Sequence, residues 1–145
     1  MRLFRFRRNV KAVMSLVGTL AFCLFFWLLG KFQLPSGANE EEYYLYSPSS
    51  QAEIKQSAEW SDLTFTIGES KGYKVENADE FVRGTLDSLN AKVLFCEEVC
   101  GVRSYYCYSP RFGAVTYLNG YPVNLHVAAQ GNLVKIGTPV IFGGY

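Results

Sequence analysis

Residues 114–129, AVTYLNGYPVNLHVAA, decide the fold. At their centre stands Asn119-Gly120, a strong two-residue hairpin signal, because both residues tolerate the positive φ that a tight antiparallel turn demands. The pattern predicts strands over Ala114–Leu118 and Tyr121–Ala129. In the second, Val123, Leu125, Val127 and Ala129 alternate with Asn124, His126 and Ala128. Such alternation belongs to a sheet with one covered face and one polar face, so some other element must supply the cover.

Residues 77–89 supply it. Asn77 followed by Glu80 forms a capping-box pattern, and Asp79 suits the positive end of a helix. Phe81, Val82, Thr85, Leu86 and Leu89 fall on one helical face, opposite Asp79, Glu80, Arg83, Asp87 and Ser88. Gly84 costs about 1 kcal/mol against Ala, so it is expected to permit close approach to the sheet. Around this helix the chain reads as strands. Tyr43–Ser47 and Leu63–Ile67 come first, with a turn over Gly68–Gly72 into Tyr73-Lys74-Val75. Lys92–Glu97 and Val102–Tyr108 then flank a Val-Cys-Gly turn, and Leu133–Ile136 runs into Gly137–Ile141. Residues 49–60 fit period two as well as a short helix. The expected class is α+β, an antiparallel sheet covered by one amphipathic helix.

Ahead of this domain lies Ala12–Gly30, an uncharged, largely apolar run whose 19 residues would make a helix of about 28 Å, enough to cross a bilayer core. Arg2, Arg5, Arg7, Arg8 and Lys11 precede it and Lys31 alone follows. That bias places the N-terminus in the cytoplasm and everything beyond outside. The division is residues 1–30 as basic stub and single-pass signal-anchor, 31–42 as linker and 43–145 as the extracytoplasmic domain. The length of the run favours a retained anchor; cleavage near Ala38 would release a secreted domain. From Lys31 onward nine basic residues meet 13 acidic ones, a net charge of −4. Nucleic acid is therefore a poor partner.

The stretches FCEEVCGVRSYYCYSP (95–110), YPVNLHVA (121–128) and KIGTPVIFGGY (135–145) resemble the YwmB-like family of endospore-forming Firmicutes. That family carries an N-terminal membrane or signal segment and an outer domain often called TATA-box-binding-protein-like. The resemblance implies a sheet-and-helix architecture, not DNA binding, and suggests a role in sporulation or the cell envelope.

Chemistry is harder to place. Cys23 falls in the apolar run, while Cys96, Cys100 and Cys107 lie outside, where disulfides persist. A Gly101-Val102 turn would set Cys96 opposite Cys107; a three-residue turn with a Gly bulge would put them on opposite faces. All three remain disulfide candidates, with no pair assigned. Cys96, Cys100, Cys107 and His126 could in principle hold zinc or serve a thiol enzyme, but C-x3-C is an uncommon ligand spacing. Glu97 and Glu98 point to opposite faces of a strand, and no phosphate-cradling glycine motif is present. No catalytic residue, metal or cofactor is expected. Tyr105, Tyr106, Tyr108, Arg111, Asn124 and His126 form the candidate binding surface, for an envelope protein or a glycan, Tyr and Arg being favoured at hot spots. The expected function is a membrane-anchored extracytoplasmic binding or accessory domain; a thiol- or metal-dependent envelope enzyme is the alternative.

Overall fold

The computed structural model describes residues 13–25, 33–47, 52–57, 59, 62 and 66–142. The chain divides into two units, Met1–Gln33 and Leu34–Tyr145. In the first, residues 13–25 are helical (α1), a length of about 20 Å. Among the described residues no helix is long and apolar enough to cross a membrane. The expected span reaches into residues 12 and 26–30, and its basic flank covers residues 1–11; all of these lie outside the described residues.

The second unit is α+β. Its strands are β1 (Glu40–Leu45), β2 (Glu53–Lys55), β3 (Thr66–Lys74), β4 (Lys92–Val99), β5 (Val102–Tyr108), β6 (Thr116–Leu118), β7 (Tyr121–Val123), β8 (Leu125–Gln130) and β9 (Leu133–Thr138). Seven form one antiparallel sheet in the order β2-β1-β3-β9-β8-β5-β4, and β6 and β7 form a separate ribbon. Helix α2 (Ala78–Ser88) starts as its capping box predicts, with the Glu80 N–H donating to Asn77 Oδ1 at 3.2 Å. Val82, Leu89 and their neighbours pack on Leu125, Val127, Val134 and Ile136. Each such buried side chain stabilises the fold by about 1.5–3 kcal/mol.

Several expectations are corrected. The expected linker, 31–42, is part of the fold from Leu34 on: Leu34 joins the core, Tyr73 Oη donates to the Pro35 carbonyl at 2.7 Å, and β1 begins at Glu40. Gly68–Gly72 is strand, not turn. A Cβ at Gly68 would run into the Thr138 carbonyl, so this glycine lets β3 press against the end of β9. Gly84 is exposed and a Cβ there would meet nothing within 4 Å, so it mediates no close approach. Residues 121–129 are not one strand, since the chain breaks at Asn124 and passes from the ribbon into the large sheet. Of the stretch 49–60, a short edge strand, β2, is described.

Candidate functional site

The register sorts the side chains of the sheet onto two faces. Glu41, Lys71, Ile136, Val127, Tyr105 and Cys96 stand opposite one another beneath α2. On the other face the corresponding row is Glu42, Ser70, Gly137, His126, Tyr106 and Phe95.

Neither expected turn joins β4 to β5. Cys100-Gly101 is a two-residue turn with φ of 51° and 77°, and Val99 pairs with Val102. Cys96 therefore faces Tyr105, while Cys107 faces Val93 beyond a bulge near Leu94. Both thiols lie on the α2 side, yet they are not opposite each other, and all four cysteines are free. Burial raises the Cys96 thiol and pushes the Cys107 thiol up to about 12. His126 lies on the opposite face, and Cys100 sits in the exposed turn. The four residues considered for zinc do not converge, and no metal-binding group occurs among the described residues.

The candidate binding residues are also divided. Tyr105 flanks the α2 core, whereas Tyr106 stacks on His126 with ring centres 4.4 Å apart. Phe95 stacks on Tyr106 at 4.4 Å, and Tyr121 leans on Phe95 at 5.6 Å. His126 was expected on the polar face beside Asn124, but both are buried, so the second face is covered too at this level. The segment after β9 provides part of the cover. The Ile141 N–H donates to His126 Nδ1 at 3.3 Å, and Phe142 packs edge-on against Tyr44 with ring centres 5.1 Å apart. Burial lowers His126 to about 4, which keeps Nδ1 an acceptor. Tyr108 is exposed and Arg111 half-buried.

Toward β1 the same face holds a polar cluster. Tyr44 Oη donates to Ser70 Oγ at 2.7 Å, Ser70 Oγ donates to Glu42 at 3.2 Å, and Lys135 Nζ binds Glu42 at 2.8 Å. Burial alone would raise the Glu42 carboxyl, but Lys135 and the two hydroxyls outweigh it and hold the group below its usual value. Ser70 and Tyr44 are fully buried, and this cluster clasps β1, β3 and β9 together.

One row further along, Glu40, Gly72, Lys135, Ala128 and Ser104 stand opposite one another. Here small residues lie between longer ones, and a groove of about 280 Å³ opens across the strands. Gly72 and Ala128 line it together with Lys74, Lys135, Leu133 and Val102. The sequence pattern concealed this site because Ala128 was grouped with Asn124 and His126 as merely polar-facing. The usable signal is the pairing of two small residues on adjacent strand segments. No family model, curated protein or solved structure matches this chain.

Proposed function

We propose that the folded unit is an extracytoplasmic binding or accessory module, held at the membrane by the apolar segment 12–30, that takes an envelope component in the groove. The groove itself carries this reading, being a concave, partly apolar site on the face of the sheet away from α2. The basic-then-apolar order of the N-terminus supports the placement, and the resemblance to YwmB-like proteins supports an envelope or sporulation setting. The thiols and His126 do not converge on a reacting centre, which favours binding over the enzyme alternative.

Leu133 stands half exposed on the rim of the groove. A photocrosslinking residue placed there in the full chain, in cells, is expected to trap an envelope component that the same probe at exposed Arg83 on α2 does not. Identical adducts from both positions would overturn the groove. Protease added to intact protoplasts is expected to digest the folded unit; protection equal to that of a cytosolic control would overturn the placement.

A further inference from the structure

We infer that β4 is a docking edge for a second copy of this chain, the two β4 strands pairing antiparallel with Lys92 of each copy opposite Glu97 of the other. Strand β4 ends the large sheet, and no further strand covers it among the described residues. It runs for eight residues, KVLFCEEV, without a proline, so its outer backbone groups are open to pairing. Val93 is exposed on it, and half-exposed Tyr121 leans on Phe95 beside it, adding apolar surface to the same edge.

Charge and register select the occupant. Lys92 and Glu97 are exposed and make no ion pair among the described residues. Glu98 is already held by Arg103 at 3.3 Å. Lys92, Phe95 and Glu97 pair with Tyr108, Tyr106 and Ser104, alternate residues of β5, and so share the face away from α2. A spacing of five would ordinarily send Lys92 and Glu97 to opposite faces. The bulge near Leu94 takes up one residue and brings them to the same face. Side chains meet across a continuous sheet only within one face, so the bulge makes β4 complementary to itself. A parallel copy would set Lys92 against Lys92 and Glu97 against Glu97. An antiparallel copy instead forms the Lys92–Glu97 pair twice, about a twofold axis between Leu94 and Phe95. That register also sets Val93 opposite Cys96, both on the α2 side. Bulges and charges often guard a sheet edge, but a guard of opposite signs at its two ends attracts a reversed copy of itself.

The test is sedimentation equilibrium of the full chain in density-matched detergent micelles, with circular dichroism to confirm that each variant keeps the wild-type fold. The wild type is expected to dimerise reversibly. Lys92→Glu and Glu97→Lys each turn both cross-strand pairs into like charges, and each is expected to raise the dimer dissociation constant at least tenfold. Mixed in equal amounts, these two variants are expected to associate with each other as the wild type does with itself. The double variant Lys92→Glu/Glu97→Lys is expected to recover self-association within one chain. Any association through the N-terminal segment is the same in all of these proteins and cannot produce the pattern. A wild type that stays monomeric overturns the inference. So do single variants that dimerise as tightly as the wild type, and so does a mixture or a double variant that fails to recover.

Discussion

The Asn124 side chain pairs with the Ser109 backbone as a strand would. Its Oδ1 accepts the Ser109 N–H at 2.7 Å and its Nδ2 donates to the Ser109 carbonyl at 2.7 Å. Nδ2 also donates to the Phe112 carbonyl at 2.8 Å, and Ser109 Oγ donates to the Leu89 carbonyl at 2.6 Å. One carboxamide thus ties the loop after β5 to the β7–β8 junction and, through Ser109, to the end of α2.

Asn124→Ala strands several buried polar groups at once and is expected to cost about 3 kcal/mol. Asn124→Asp keeps the acceptor but sets a buried carboxylate oxygen against the Ser109 and Phe112 carbonyls, so it is expected to cost at least as much as the alanine variant. Urea titrations of the full chain followed by circular dichroism measure both. An Asn124→Ala midpoint equal to that of the wild type would refute the pairing as a structural tie.

His126 makes stability depend on pH. The unfolded imidazole titrates near 6.5 and the folded one near 4, so below pH 6.5 the unfolded chain binds more protons. Stability is therefore full above about 6.5 and declines as pH falls toward 4, by about 3 kcal/mol in total. Glu41 and Glu42, both held below the ordinary 4.5, add to the loss at lower pH, whereas Glu69, raised by burial, opposes it. Urea midpoints between pH 7.5 and 5 are expected to slope in the wild type and to flatten in His126→Phe, which keeps a ring against Tyr106.

Two glycine substitutions are expected to have opposite signs. A Cβ at Gly137 would lie 2.7 Å from Ile141 Cγ1 and 3.2 Å from its nitrogen, dislodging the segment that donates to His126. Gly137→Ala should lower the melting temperature. Gly84→Ala meets open space on a helix and should gain about 1 kcal/mol. Calorimetry on the two variants decides both.

Cys100 holds a φ of 51°, which suits asparagine better than cysteine. Cys100→Asn should stabilise the β4–β5 hairpin by about 1 kcal/mol. In the wild type, maleimide is expected to label Cys100 readily, Cys96 slowly and Cys107 only after unfolding. Equal labelling of Cys107 in the folded protein would contradict its burial.

Features set by neighbouring residues were legible in the chain. The Asn119-Gly120 turn forms with φ of 51° and 80°, and the Asn77–Glu80 cap forms as its spacing requires. Features set by distant partners were not. Gly68 and Gly72 resemble turn residues until Thr138 and Glu40 are seen lying beside them. Asn124 resembles a surface residue until Ser109 arrives from a loop fifteen positions earlier. The β4–β5 register turned on Cys100 adopting a left-handed conformation, which its residue type does not advertise. The groove needs Gly72 and Ala128 brought together by β9, and local periodicity carries no record of that.

Strand β9, the last among the described residues, occupies the middle of the large sheet, between β3 and β8. Until Leu133–Thr138 is free to pair, the early strands and the later hairpins are two unjoined flaps with bare inner edges. Closure of the large sheet is thereby postponed until β9 is present. Truncation of the chain before Leu133 should therefore remove the keystone of the sheet and leave an insoluble product.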